Sequence, residues 1–244
     1  MIKLVRRIVR KMLNKAGFEV VLLGYETSHS LVLKKLIDDF QVKTVFDVGA
    51  NEGQFGNMLR QLGYGNKIIS FEPLSKAWNN LKENSKNDAA WIVAKRAALG
   101  NQEGTIEINV SENSQSSSIL AMEKSHKSAA PESEYVSVEQ TEITTLDKFI
   151  ELNNEVLSES MMLKIDTQGY EMNVLMGAER VLEKIKIVEL ELSFIELYTG
   201  QQLYKEMVEH MEKRQFVLWS VFPVFCDKDT GRMLQADAIF VKQV

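Results

Sequence analysis

Two carboxylates stand where a folded chain can use them for chemistry. The stretch Val45-Phe46-Asp47-Val48-Gly49-Ala50-Asn51-Glu52-Gly53 puts Asp47 near the end of a short apolar run, ahead of a turn through Gly49 and a helix start around Gly53. Parallel α/β sheets bind ligands at such strand ends, where the strand order reverses. Glycine at position 49 lets the backbone approach a ligand with no Cβ in the way. The glycines read GxxxG rather than the GxGxxG of a dinucleotide site, and an acid stands two residues before the first. That arrangement repels a pyrophosphate and suits a ligand with a cationic group. Roughly 20 residues on, Ser70-Phe71-Glu72-Pro73 ends a second apolar run in a carboxylate whose two oxygens match the hydroxyls of a ribose. Together the signals describe a nucleoside with a positively charged amino acid tail, which is S-adenosylmethionine.

A second group of acids sits further along the chain. Asp166 closes the apolar run Met161–Ile165, and Glu191 lies near the end of the following one. Asp166 is the leading candidate for a base that takes a proton from an acceptor hydroxyl, and Glu191 the second. The two can also share a divalent cation such as Mg²⁺, since hard cations take oxygen ligands. Lys164 shares the strand parity of Asp166 and is a candidate catalytic group or its ion-pair partner. Competing structural readings exist: Asp166 can cap the next helix, and Glu191 alternates with Glu189 on one strand face. His29, His126 and His210 lack metal-ligand spacing and read as ordinary surface or helix residues. Of the three, His126 is the one able to reach an acceptor. Cys226 sits in an apolar context and reads as a buried thiol.

The elements that must position these groups follow from periodicity. Short apolar runs at 42–48, 67–71, 91–94, 161–165 and 187–192 alternate with helical stretches at 54–62, 75–84, 146–150, 171–184 (broken near Gly177) and 203–214. Such alternation predicts a parallel sheet wrapped by helices. Strands at 216–222 and 236–241, joined by a turn-like loop, must pair antiparallel. Strands at 105–110 and 135–140 alternate polar and apolar residues, so residues from about 105 to 141 read as a β-hairpin-like insertion. Its Ser-, Glu- and Asn-rich segment 111–134 reads as a mobile tip or substrate lid. The expected fold is α/β, with a Rossmann-like seven-stranded sheet, mostly parallel with an antiparallel last strand, and helices on both faces. Residues 1–41 form a separate helical segment, and 42–244 the ligand-binding domain.

Composition narrows the function. The chain has 244 residues, 45% of them hydrophobic and 26% charged, which excludes disorder as the whole story. A single cysteine excludes a disulfide framework and a Cys-rich zinc site. The net charge of −5 hides an asymmetry: Lys3, Arg6, Arg7, Arg10, Lys11 and Lys15 fall in the first fifteen residues with no acid, leaving 23 cations against 34 acids elsewhere. So acidic a body is a poor binder of nucleic acid. On a helical wheel Ile2, Val5, Ile8, Val9, Met12, Leu13 and Ala16 share one side and the cations the other. This amphipathic basic helix packs its apolar stripe on the domain, lies on an anionic membrane surface, or caps the site. Charges recurring through Lys15 and Glu19 break any secretory run, so the expectation is a cytoplasmic protein, at most peripheral to a membrane.

With these motifs in order, the chain resembles the FkbM-type S-adenosylmethionine-dependent methyltransferases over roughly residues 42–220. The resemblance is carried by Val45–Gly53, Phe71-Glu72-Pro73, Ala97-Ala98-Leu99-Gly100 with Gly104, Thr145-Leu146-Asp147, and Leu163-Lys164-Ile165-Asp166-Thr167-Gln168-Gly169-Tyr170-Glu171. The resemblance implies that Asp47, Gly49, Asn51, Gly53, Glu72 and Ala98 hold the cofactor. It also implies methylation of a hydroxyl on a sugar, glycan, lipid or polyketide-type acceptor. At the last motif the family reads Lys-Ile-Asp-Val-Glu-Gly-x-Glu, whereas this chain has Thr167-Gln168 and so lacks one carboxylate. That loss keeps open a non-catalytic module of the same fold, docking on a membrane or on a glycosyltransferase.

Overall fold

The computed structural model describes residues 2–19, 21–153 and 160–243. Its first half comprises α1 (Ile2–Lys15), α2 (His29–Asp39), β1 (Thr44–Val48), α3 (Gln54–Gln61), β2 (Lys67–Phe71), α4 (Ser75–Ser85), β3 (Trp91–Val93), β4 (Ala98–Leu99) and β5 (Gly104–Ser111). Then follow α5 (Lys124–Ala129), β6 (Tyr135–Thr144), α6 (Leu146–Asn153), β7 (Met161–Ile165), α7 (Glu171–Met176), α8 (Glu179–Leu182), β8 (Ile185–Ser193), α9 (Tyr204–Lys213), β9 (Phe216–Cys226) and β10 (Met233–Lys242).

Seven strands form one sheet in the order β3-β2-β1-β7-β8-β10-β9. Neighbours from β3 to β8 pair parallel, and β10 pairs antiparallel with both β8 and β9. The expected architecture is therefore present. Every residue of β1 and β7 is buried, as befits parallel strands covered on both faces. Val45, Ile68, Met162, Ile187 and Ile239 meet α2, α3 and α4 through Leu33, Leu36, Leu59 and Leu81. On the opposite face, Phe46, Leu163, Val188 and Phe240 pack against α6 to α9 through Leu146, Leu175, Val181 and Met211. The chain winds from β1 outward through β2 to β3, then returns to lay β7 on the other side of β1. This reversal opens a crevice at the carboxyl ends of β1 and β7.

A second, three-stranded sheet pairs β5 antiparallel with β6, and β6 parallel with β4. The segment between β5 and β6 folds back instead of projecting as a tip. It carries α5 and bridges Asn109 to Ser118 and Met122 to Tyr198.

Two expectations need correcting. Cys226 is exposed, because it ends β9, the edge strand of the large sheet, where Trp219 and Val224 also meet solvent. His126 is buried on α5, with its ring 5.1 Å from that of Tyr198 and 5.4 Å from that of Phe225, and burial pushes its pKa down. Of the apolar stripe of α1, Val9 and Met12 are 46% and 67% exposed, while Leu13 is half-buried. The side chains of Ile2, Val5, Ile8, Lys3 and Arg6 lie outside the described residues. Phe18, Val21, Leu22, Leu23 and Tyr25 extend the exposed apolar surface beyond this helix. Among the described residues no helix is long and apolar enough to cross a membrane.

The break between α7 and α8 has a packing cause. A Cβ on Gly177 would fall 1.8 Å from the Gly100 carbonyl oxygen and 3.2 Å from Thr145 Cβ. Gly177→Ala is therefore expected to destabilise the fold by roughly 1–3 kcal/mol in urea unfolding. Gly65→Ala, with nothing within 4 Å, should stay within about 0.5 kcal/mol. Equal midpoints for the two variants would contradict this packing.

Candidate functional site

The crevice holds a cavity of about 470 Å³ whose walls come from both sheets and from α2. Its wall on the β1–β2 side is built from Gly49, Asn51, Glu72 and Ala98, and Ser114, Ser117 and Ser118 of the β5–β6 connection close it from above. Glu72 is almost wholly buried, and its carboxylate is aimed by two backbone donors. Asn51 N–H donates to Oε2 at 2.8 Å and Leu74 N–H to Oε1 at 2.9 Å. Burial pushes this carboxyl up to about 7, outweighing the stabilisation that those two N–H groups give its charge. Gly49 takes φ +76°, and a Cβ there would sit 1.8 Å from the Asp166 carbonyl oxygen, so the wall at this point can only be backbone. Asn51, at φ +47°, leaves its buried Oδ1 without a hydrogen-bond partner.

Two of the sequence candidates lie elsewhere. Asp47 is fully buried behind the cavity wall, where it accepts from Ser70 Oγ at 3.0 Å, and Ser70 in turn accepts from Trp91 Nε1 at 2.9 Å. It is not among the residues that line the cavity. Gly53 points away from the cavity, and a Cβ there would crowd Leu81 and Trp91.

On the face toward α2, one polar row crosses the sheet just beyond the apolar row. Ser70 stands opposite Asp47, Asp47 opposite Lys164, and Lys164 opposite Glu189. Lys164 Nζ lies 3.9 Å from Asp47 Oδ1 and 3.1 Å from Asp166 Oδ2. Burial works against its charge, but Asp166, Asp47 and Glu189 more than compensate and hold its pKa above the usual lysine value. Asp166 is half-exposed and lines the cavity. It does not cap α7, which begins at Glu171 after Tyr170. That turn is held by Glu171 Oε1, which accepts from the backbone N–H of Thr167 and of Gly169.

Glu191 also lines the cavity. Burial raises its carboxyl well above the ordinary range, and Asp166, Glu171 and Asp237 add to the shift. Between Glu191 and Asp166 the structure places an amide where a shared cation was expected. Gln168 Nε2 donates to Asp166 Oδ1 at 2.8 Å and to Glu191 Oε2 at 2.9 Å, while its Oε1 accepts from Tyr198 OH at 2.7 Å. The residue that departs from the family pattern thus links the two carboxylates itself.

Sequence reasoning missed two lining groups. His29, at the start of α2, puts Nε2 3.1 Å from Glu189 Oε2, an ion pair when the imidazole is protonated; burial lowers the ring's pKa, but Glu189 and Asp237 outweigh it and raise it. It is half-buried in the site rather than an ordinary surface residue. Asp237 on β10 completes the group, and burial, with Glu189 and Asp166 adding, pushes it up to about 7. The sequence held one signal, a lone acid within the apolar run of β10.

The order of the sheet, the buried carboxylate at the end of β2 and the crevice beside it define a methyltransferase of the doubly wound class. The chain belongs to the FkbM methyltransferase family, whose domain matches residues 47–218. None of the curated protein sequences matches the chain. Among solved structures, an rRNA methylase from Streptococcus thermophilus is 8% identical and covers 92% of this chain and 100% of its own, with a TM-score of 0.50. A precorrin-6y C5,15-methyltransferase from Geobacter metallireducens is 10% identical, covering 93% and 95%, with a TM-score of 0.45. TrmK from M. capricolum, in complex with S-adenosyl-homocysteine, is 8% identical, covering 91% and 70%, with a TM-score of 0.48. At these identities the likeness is one of fold.

Lys164 is the lysine that lines the cavity among the described residues. Lys164→Met removes it from beside the buried Asp47, which is expected to lower unfolding free energy by roughly 3–5 kcal/mol. Adding Asp47→Asn should restore part of that loss in the same denaturation experiment. A double variant no more stable than the single one would argue against the buried pairing.

Proposed function

We propose that this methyltransferase transfers the methyl group of S-adenosylmethionine to a hydroxyl of a sugar, glycan, lipid or polyketide-type acceptor. The observation that carries the reading is the Glu72 carboxylate. It is buried and aimed by backbone, and each oxygen keeps a lone pair for one hydroxyl of a ribose. The residues present fit the cofactor: the unpartnered Asn51 Oδ1 offers an acceptor, and Gly49 and Ala98 leave a wall without bulky side chains. Bound S-adenosylmethionine supplies an already activated sulfonium methyl.

The chain's own task is to hold an acceptor oxygen in line and take its proton. Asp166 is the carboxylate placed for this: it is half-exposed in the cavity, with Lys164 and Gln168 fixing one oxygen each. Oxygen as the acceptor atom is favoured by what lies at the end of β7. The loop reads Asp166-Thr167-Gln168-Gly169, without the Asn/Asp-Pro-Pro-aromatic run of enzymes that methylate base amino groups. Cys226, the one thiol available for carbon methylation, is not part of the cavity wall. The acidity of the body outside the first fifteen residues speaks against a nucleic acid acceptor.

The pH dependence follows from Glu72. In the free protein its carboxyl, pushed up to about 7, holds a proton at mildly acidic pH that must leave before both ribose hydroxyls can donate to it. Affinity for S-adenosylhomocysteine is therefore expected to fall about tenfold per pH unit below that value, with proton release seen by calorimetry in two buffers. Glu72→Gln should weaken binding about tenfold to hundredfold and flatten the profile. Asp166→Asn should leave that affinity within about twofold while turnover drops roughly 100-fold or more. A pH-independent wild type would remove the ribose assignment. Cofactor binding with no methyl transfer to any hydroxyl acceptor would favour the non-catalytic module.

The basic N-terminal helix fits placement of the enzyme on an anionic membrane surface. Six cations fall in the first fifteen residues of the chain, and Val9 and Met12 of the helix and Phe18, Leu22 and Leu23 after it are exposed. Sedimentation with vesicles containing phosphatidylserine should retain the full chain and lose a variant lacking residues 1–15. Equal retention of the two would refute the placement.

A further inference from the structure

His29, Glu189 and Asp237 come from three separate elements, α2, β8 and β10, and converge on one point of the cavity wall. One ligand atom from each lies within 4.8 Å of the others. Two ligands on opposite sides of an ion at about 2.1 Å stand about 4.2 Å apart, and adjacent ones about 3 Å apart. The 3.1 Å between His29 Nε2 and Glu189 Oε2 is the adjacent separation. Small side-chain movements bring the third ligand within range.

The polar atoms here are also unfulfilled. Glu189 is only 4% exposed, yet its Oε2 has no hydrogen-bond partner among the described residues, and neither has His29 Nε2. The His29 ring at 3.1 Å is the one group that can meet this buried carboxylate oxygen with positive charge among the described residues, by holding a proton or by sharing a metal ion with it. Lys164 stands opposite Glu189 across the strands, but its Nζ is engaged with Asp166 at 3.1 Å. The amide of Gln168 serves Asp166 and Glu191 and leaves this group alone. The surroundings add further negative charge: Asp166 and Glu191 share the wall, and Asp47 lies behind it.

We propose that His29, Glu189 and Asp237 bind a divalent transition-metal cation at the end of the cavity away from Glu72. One imidazole and two carboxylates make a mixed nitrogen and oxygen set, suited to Mn²⁺, Fe²⁺ or Zn²⁺ rather than to Ca²⁺. Three protein ligands leave coordination positions open toward the cavity, as in sites where a metal binds and acidifies a hydroxyl. That the hydroxyl belongs to the methyl acceptor rests on the reading given under Proposed function; the ligand set does not. His29 precedes the matched family domain, so the N-terminal segment would supply a ligand to a centre otherwise built by the sheet.

The test uses the full-length protein and Mn²⁺. Free Mn²⁺ is counted by electron paramagnetic resonance during titration, and S-adenosylhomocysteine affinity is measured separately by calorimetry. The wild type should take up one Mn²⁺ per chain. His29→Gln and Asp237→Asn should each weaken uptake at least tenfold and leave S-adenosylhomocysteine affinity within about twofold. Uptake should withstand Gln168→Ala, which removes the bridge between Asp166 and Glu191 and the bond from Tyr198 but no contact of the three ligands. Failure of the wild type to take up Mn²⁺, or uptake that persists in both His29→Gln and Asp237→Asn, would overturn the site. Neither result would affect the cofactor assignment, which fails only if S-adenosylhomocysteine does not bind.

Discussion

A buried ammonium holds the site together. Lys164 sits in the middle strand of the sheet with Asp47 on one side, Glu189 across from it on the other, and Asp166 just beyond. Asp47 and Glu189 would each be hard to keep in a nearly dry wall alone. Around one fixed cation they can be placed at known distances, and the strands that carry them must then keep their register. A one-residue slip would turn the polar row into the helix layer behind. The charge network and the β1–β7–β8 pairing therefore specify each other.

This arrangement separates two tasks that look alike in the sequence. Asp47 and Glu72 both end apolar runs, and both invite a reading as ligand groups. Asp47 is held by structure: Ser70, itself bonded by Trp91, donates to it, and Lys164 stands beside it behind the cavity wall. Glu72 stands one strand over and two residues higher, at the mouth rather than in the wall, and only it is presented by backbone N–H groups. The difference is one of depth along the strand.

Much of the frame was legible because buried parallel strands announce themselves as continuous apolar runs. β2 and β7 begin and end where those runs do, and the antiparallel pairing of the last two strands follows from their short connection. Gly177 marked the break in the helix after β7. The two-residue β4 and the polar helix α5 left no such trace, since α5 has no apolar periodicity and depends on contacts of its neighbours with Tyr198. Within the site, strand parity pointed to the faces of Asp166, Glu191 and Lys164. It said nothing of His29, which arrives from outside the sheet, or of Gln168, whose bridging amide depends on Tyr198 holding its other end. The exposure of Cys226 was equally hidden, because sheet order, not local sequence, makes β9 an edge.

The position of β10 has a consequence for how the protein comes into being. Although β10 follows β9 in the chain, it lies inside β9 in the sheet, between it and β8. Until those residues leave the ribosome, β8 has an unpaired edge and β9 has no strand to join. The growing chain can assemble its cofactor half early, around β1 and β2, while Asp237 is still unmade. Closure of the sheet and completion of the acidic end of the cavity are thus the same event, and it waits for nearly all of the chain described here to be synthesised. A ribosome stalled within β10 would hold a half-built enzyme with an open sheet edge, a natural target for chaperones.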